Sequence, residues 1–273
     1  MNYILQALFL DYKWINIIMI YLIILILLNQ LTKVNNELKG EKNLKVFEIL
    51  LKVYLLKDIE VSETQNRILK LIDNTLGKTE EALKFHNKND FKNYCFNSFY
   101  PLEKDGIYKE GSIYTITIRT VDKALATYFN NRLPYSYTPY IKALTSQMKI
   151  IPIKKIKKIY SITPMIIKND EGYWKNLIDV SEFERRIKEN LIKKYNNILN
   201  DKMDENFILY KSIEFKNRIP ISIPYKDRKL LGDKISLDIS EDDISQEIAY
   251  MALGTGIGEM NARGLGFMGY RWI

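Results

Sequence analysis

Histidine occurs once in the chain, at His86, and cysteine once, at Cys95. A lone imidazole with an ordinary pKa near 6.5 can act as a general acid or a general base at neutral pH, and no second imidazole is available for the other proton transfer. A zinc site or a facial triad needs a Cys/His cluster that this composition lacks, so no metal and no cofactor is expected. Without a second cysteine there is no intrachain disulfide, and a reducing cytoplasm is the expected compartment. Cys95 reads as a small buried strand residue rather than a nucleophile. His86 lies in FHNKNDFKNYCF, a polar stretch where an exposed, uninvolved histidine is the alternative.

The second chemical feature is Gly254 to Gly266, GTGIGEMNARGLG, with five glycines in thirteen residues. Such a loop brings backbone N–H groups close to an anion because no Cβ blocks the approach. A dinucleotide fingerprint needs a strand before the loop and a helix after it, and the order here is reversed. A Walker loop ends in Gly-Lys-Ser/Thr, and no lysine lies in this one. A flexible tail is a poor reading, since the hydrophobic strand FMGYRWI closes the chain. An oligoanion cradle with Arg263 beside it fits better.

These residues must be positioned by the elements around them. From Leu44, KVFEILLKVYLL reads as a strand, and Ser62 with Gln65 resembles a capping box opening a helix to Gly77. Strands NYCFNSFYP and SIYTITIRT flank a turn at Gly106 to Gly111. A helix from Val121 to Asn131 and the extended IKALTSQMKIIPI complete a strand–helix–strand–strand–helix–strand order, the split βαβ of a ferredoxin-like fold. The order recurs loosely. KKIYSITPMII is a strand, and a long helix runs from Ser181 to Leu199. ENFILYKSIEF, RIPISIP and KISLDIS follow, then a helix over Glu241 to Leu253 capped by Ser240, and the terminal strand. The expected fold class is α+β: two tandem ferredoxin-like (RRM-like) domains, 44–150 and 151–273, with an apolar N-terminal extension, 1–43. Within the extension, residues 14–31 hold the run IIMIYLIILILL, at the lower edge of the 17–25 residues that span a bilayer. A membrane anchor, a packed helix and a start codon placed too early compete here, and the last is favoured because the remainder is complete without it. No small-residue cleavage site follows, which argues against a secretory signal.

Lys plus Arg exceed Asp plus Glu by 41 − 33 = +8, which favours a polyanionic partner. Lysines outnumber arginines 32 to 9, so part of the charge reflects composition. Lys154, Lys155, Lys157 and Lys158 in IPIKKIKKIY read either as phosphate contacts or as a solvated edge strand. Arg185, Arg186, Lys193 and Lys194 alternate with acids on the long helix and read as a solvated face.

The spacing G-x-G-x5-G-x-G-F, carried by Gly256, Gly258, Gly264, Gly266 and Phe267 between a last helix and a last strand, resembles the glycine-rich loop of the CRISPR repeat-processing endoribonucleases of the RAMP superfamily. The resemblance covers Leu44 to Ile273 and implies two tandem ferredoxin-like domains. It implies CRISPR precursor RNA as partner, bound through Gly254, Gly256, Gly258, Asn261, Arg263, Gly264, Gly266 and the lysines at 154, 155, 157 and 158. It also implies a hairpin in FKNRIPISIPY whose Lys216 and Arg218 meet RNA. His86 resembles the family's general acid/base, with Lys92 six residues downstream; Lys84, Lys88 and Lys104 are nearby competitors. Some members carry a tyrosine on the preceding helix, whereas the matching LKLIDNTL has Asp73 and no tyrosine. The implied reaction is metal-independent: the RNA 2′-OH attacks the adjacent phosphorus, leaving 2′,3′-cyclic phosphate and 5′-OH ends. A non-cleaving CRISPR RNA-binding RAMP subunit and a membrane-anchored adaptor are the alternatives. Work beside type I surveillance complex subunits, as monomer or homodimer, is the implied setting.

Overall fold

The computed structural model describes residues 44–78, 91–169, 171–225 and 228–273. The apolar run at 14–31 and His86 lie outside them. Among the described residues no helix is long and apolar enough to cross a membrane.

Strand β1 (Phe47–Leu55) has the period-two pattern of a strand buried on one face. Phe47, Ile49, Leu51, Val53 and Leu55 point into a core with Ile68, Leu71, Ile72 and Leu76 of helix α1 (Thr64–Leu76). After the short β2 (Ile59–Glu60) and α1 come β3 (Tyr94–Tyr100), the short β4 (Ile107–Tyr108), β5 (Ile113–Thr120), helix α2 (Lys123–Arg132) and β6 (Ile141–Ile150). The main strands form an antiparallel sheet in the order β3-β5-β1-β6, while β2 and β4 pair separately. Helix α2 adds Leu125, Ala126 and Phe129 to the same core and is capped by Asp122, whose carboxylate accepts the Ala124 and Leu125 amides.

The order is repeated by β7 (Ile156–Ser161), α3 (Val180–Leu199), β8 (Tyr210–Phe215), the hairpin β9 (Ile221–Tyr225) and β10 (Arg228–Gly232), β11 (Ile235–Ile239), α4 (Asp243–Thr255) and β12 (Met268–Trp272). Its sheet runs β12-β7-β11-β8, the same ferredoxin-like arrangement read from the other edge. The mixed α+β class and the ferredoxin-type architecture expected from element order are therefore present in both halves.

Several local expectations are corrected. Ser62 does not cap α1: it sits in a 3-10 turn, its hydroxyl donates to the Glu60 carboxylate, and the helix starts at Thr64. Helix α4 is capped by Asp242, which accepts the Ser245 amide, and not by Ser240. The strand that follows Lys154 and Lys155 is interior, held between β12 and β11, so the edge-strand reading of IPIKKIKKIY fails. FKNRIPISIPY is not one hairpin: β8 ends at Phe215, and β9 turns back onto β10 instead.

One ionic cluster joins the sheets. Glu48 on β1 lies opposite Arg119 on β5 and Lys149 on β6. Arg119 Nε donates to its carboxylate at 2.7 Å, and Lys149 Nζ lies 3.0 Å away. Arg119 Nη1 also donates to the Met268 carbonyl on β12 at 2.6 Å, and its guanidinium lies 4.4 Å from the Phe267 ring centre. Burial opposes ionisation of Glu48, but the two cations outweigh it and hold its carboxyl below the ordinary value of 4.5. A depressed carboxyl stabilises the folded chain above the unfolded pKa and loses that contribution as pH falls through the folded value. Glu48→Gln, which leaves Arg119 buried without its counter-charge, is expected to remove about 3–5 kcal/mol at pH 7. Urea denaturation at pH 7 and below pH 4 checks this: the wild-type chain should lose more stability on acidification than the variant, and equal losses would assign the cluster no ionic role.

Candidate nucleic-acid site

The glycine-rich loop joins α4 to β12 and lies between the two halves. Its last helical glycine, Gly254, is a packing residue: a Cβ there would stand 2.8 Å from Val121 Cγ1 and 3.1 Å from Val46 Cγ1. Cys95 packs on the same turn, its thiol directed at the Leu253 and Gly254 carbonyls, and burial pushes the thiol pKa up to about 12. Gly256, Gly258, Gly264 and Gly266 all have positive φ and are buried. At two of them the close approach is decisive. A Cβ on Gly258 would meet the Ile166 carbonyl at 2.5 Å, and one on Gly266 would overlap the Ile257 carbonyl. Several loop N–H groups are taken by the chain itself: Ile257 donates to Gly266 O, Glu259 to Ile166 O, Gly266 to Pro164 O and Phe267 to Thr163 Oγ1.

Asn261 works inside the loop rather than on its surface. Its Nδ2 donates to the Ile257 and Leu265 carbonyls, both at 3.0 Å, and its Oδ1 accepts from Lys194 at 2.7 Å. Lys194 is only 3% exposed, and its ammonium also donates to Gly256 O at 2.9 Å and Gly258 O at 2.8 Å. Burial pushes its pKa down to about 7, while the three oxygens match the three donors of the charged form. The solvated-face reading therefore holds for its neighbours and fails for Lys194. Arg185 pairs with Glu182 and Glu189, Arg186 with Glu182, and Lys193 with Glu189 at 3.8 Å. The signal was in the spacing: Ile187, Leu191 and Lys194 follow i, i+4, i+7, so Lys194 falls on the apolar stripe of α3.

Above this anchor lies an open cavity of about 230 Å³. Phe91 to Tyr94 form one wall, Asn190 and Lys194 of α3 another, and Gly258 to Ala262 of the loop the third. Lys92 is thus brought to the glycine-rich loop, as part of the wall that leads into β3. Tyr94 is buried beneath, its hydroxyl 3.5 Å from the Ala262 carbonyl, with its pKa raised by burial. A second hollow of about 160 Å³ adjoins through Asn190, Gly258 and Glu259 and is bordered by Lys168, Arg186 and Lys193. Arg263 is exposed on the loop's outer side, 5.1 Å from the Tyr225 ring centre on the β9–β10 hairpin.

The other expected contacts lie away from the cavity wall. Lys154, Lys155 and Lys157 are exposed, and Lys158 is half-buried in the ladder opposite Asp238 and Arg271. Lys216 pairs with Glu214 at 2.6 Å, and Arg218 is exposed. Asn93 and Asn190, which line the cavity, carried no motif in the sequence.

Replacing the anchor tests how far the loop depends on it. Lys194→Met strands three oxygens, each worth about 1–3 kcal/mol when left unpaired, and is expected to destabilise the fold by about 3 kcal/mol or more. At roughly 2–4 °C per kcal/mol the melting temperature should fall by about 6–12 °C. Amide exchange at Ile257 and Gly266 should quicken with it; an unchanged exchange rate there would show that the loop holds without Lys194.

The family model for the CRISPR associated protein Cas6, C-terminal, matches residues 140–270. No curated protein matches the chain in sequence. Among solved structures, one described as "CRISPR associated protein Cas6" superposes with a TM-score of 0.64 at 20% identity, covering 83% of this chain and 99% of that one. "An RAMP protein binding different RNA substrates" gives 0.60 at 17% identity, over 82% and 99%. A Cas6 product complex gives 0.53 at 14% identity, over 83% and 100%. These identities speak for the fold: residues 140–270 match the family model of the Cas6 C-terminal domain, and the chain shares its fold with the solved Cas6 and RAMP structures.

Proposed function

We propose that the chain is a metal-independent endoribonuclease that cuts CRISPR precursor RNA within its repeats. The observation that carries this reading is the cavity of about 230 Å³ in which Lys92 meets the loop of the Cas6 C-terminal domain. RNA supplies its own nucleophile. The 2′-OH loses a proton and attacks the adjacent phosphorus, the bond to the 5′-oxygen breaks, and the leaving oxygen takes a proton. The products are a 2′,3′-cyclic phosphate and a 5′-OH end. His86, six residues before Lys92 in the chain, gives or takes one of those protons, and the Lys92 ammonium neutralises the charge that builds on the phosphorane.

The surrounding charge serves the same substrate. Lys154, Lys155, Lys157 and Arg218 are exposed cations suited to phosphates, and Arg263 beside Tyr225 pairs a cation with an aromatic face. Lys158 and Lys216 already face acidic neighbours, Asp238 and Glu214, so their contribution is weaker. The glycines of the loop shape the wall, and Asn261 fixes it. A reported neighbour in this fold binds different RNA substrates and another is a product complex, which is the behaviour proposed here. Cytoplasmic action beside type I surveillance complex subunits belongs to the same proposal.

The test is single-turnover cleavage of a repeat RNA from the source genome's own array, in EDTA. Wild-type protein should cut at one site and leave a cyclic-phosphate end. His86→Ala should slow the step by about 10²–10⁴-fold. Lys92→Ala should slow it by about 10²–10³-fold with RNA affinity little changed. Tight binding with no cleavage by the wild-type chain would sink the enzymatic reading and leave an RNA-binding RAMP subunit.

A further inference from the structure

Helix α1 has three sides. Ile68, Leu71, Ile72 and Leu76 face the core of the first half. Gln65, Asn66 and Leu69 border a narrow slot against Tyr225 of the β9–β10 hairpin and Arg263 of the glycine-rich loop. At about 100° per residue, the third side lies roughly a third of a turn further round and carries Arg67, Lys70 and Asn74. Lys78 follows just past the helix end.

A strap, residues 133–140, runs along this third side. Lys78 Nζ donates to the Tyr135 carbonyl at 3.4 Å and to Ser136 Oγ at 3.3 Å, and Ser136 Oγ lies 2.6 Å from Thr75 Oγ1. At the other end the Arg67 guanidinium lies 3.6 Å from the Tyr140 ring centre. The alternation of the strap is inverted. Its small polar side chains face in: Ser136 is 1% exposed and Thr138 6%, and the Thr138 hydroxyl accepts the Tyr140 and Ile141 amides. Its rings face out: Tyr135 is 79% exposed and Tyr137 72%. Ser136 between them is extended, which sets both rings on one side, roughly 7 Å apart along the chain.

Large apolar side chains are exposed elsewhere too, Tyr100 and Leu102 among them, so exposure alone assigns nothing. The strap differs in the charge around its rings. Lys70, Lys78, Arg132 and Lys142 are exposed, and none has a carboxylate partner among the described residues; Lys142 is bridged to Tyr137 itself. On α3, by contrast, Arg185, Arg186 and Lys193 are each paired with a glutamate. An acidic peptide would use the cations and leave two flat faces idle. Unpaired RNA uses both, because each nucleotide brings a phosphate to a cation and a base face to a ring.

We propose that the strap is a second RNA contact: Tyr135 and Tyr137 stack two unpaired bases, and Lys70, Lys78 and Lys142 meet the phosphates beside them. Its occupant is the single strand that flanks the repeat in the precursor. The inference rests on the RNA reading given above and adds to it a surface outside the cavity. Stacking is tolerant of base identity, so the contact serves flanks of any sequence.

The experiment measures equilibrium binding of the full chain, in EDTA, to a repeat RNA alone and to the same RNA with about ten unpaired nucleotides of mixed sequence on its 5′ or its 3′ side. The nucleotide at the cut carries 2′-deoxyribose, so that the RNA stays whole. One extended RNA should bind the wild-type chain about five- to a hundredfold tighter than the bare repeat. Tyr135→Ala with Tyr137→Ala should bring that ratio close to one and leave the affinity for the bare repeat unchanged, whereas Tyr135→Phe with Tyr137→Phe should keep it. Both rings are mostly in solvent, so the alanine pair should melt within about 2 °C of wild type. Lys70→Gln with Lys142→Gln leaves the rings in place and should flatten the slope of log affinity against log salt for the extended RNA by about 0.7 per lysine. No gain from either extension, a gain kept by the alanine pair, or a loss shared equally by bare and extended RNA overturns the strap and leaves the repeat reading standing. An unchanged salt slope overturns it as well. So does polyglutamate that displaces the extended RNA as readily as free single-stranded RNA does, which would make the strap a surface for acidic peptides. A chain that binds neither RNA overturns both readings together.

Discussion

A lysine ammonium enclosed by protein with no carboxylate among its hydrogen-bond partners is tolerated only if every donor is matched, because an unmatched charge in that setting costs several kcal/mol. Lys194 meets the condition with three neutral oxygens, Gly256 O, Gly258 O and Asn261 Oδ1, all within 2.9 Å. The match works in both directions. Two of those carbonyls belong to residues at positive φ, turned inward by a backbone that only glycine adopts readily, and would otherwise be buried without a donor. Helix α3 supplies the cation, the loop supplies the acceptors, and each satisfies the other's buried polar groups.

From that anchor the constraint passes outward through contacts at each step. Gly258 and Gly266 approach the Ile166 and Ile257 carbonyls too closely for any side chain, which fixes the loop against the segment after β7 and against itself. Gly266 donates to Pro164 O, and the next residues enter β12. There the Met268 carbonyl accepts from Arg119, which is paired with Glu48 on the central strand of the first sheet. The wall of the cavity is thus tied to both sheets by hydrogen bonds and by glycine packing.

The layers of this molecule differed in how far they could be read from its sequence. Strands and helices announced themselves through period: Phe47, Ile49, Leu51, Val53 and Leu55 alternate inward on β1, and Ile68, Ile72 and Leu76 line one side of α1. The repeated element order then implied the sheet order, since crossovers of that kind pack in few ways. Helix starts were misplaced by a few residues because several polar side chains near each start were competent caps, and tertiary fit chose Asp242 over Ser240. The interior position of β7 was hidden because its lysines read as an edge, while its two neighbours come from residues far along the chain. Lys194 was hidden by chemistry: charge suggested water, and only its place on the apolar stripe opposed that. Asn93 and Asn190 carry no local pattern, and their relation exists only once β3 and α3 face the same space.

The polar groups around the cavity differ in how fully they are paired. Where the wall must be rigid, polar atoms are saturated: Lys194 has three acceptors and Asn261 bonds through both ends of its amide. Asn93 Oδ1 and Asn190 Oδ1, on residues of the same wall, are buried without a hydrogen-bond partner among the described residues.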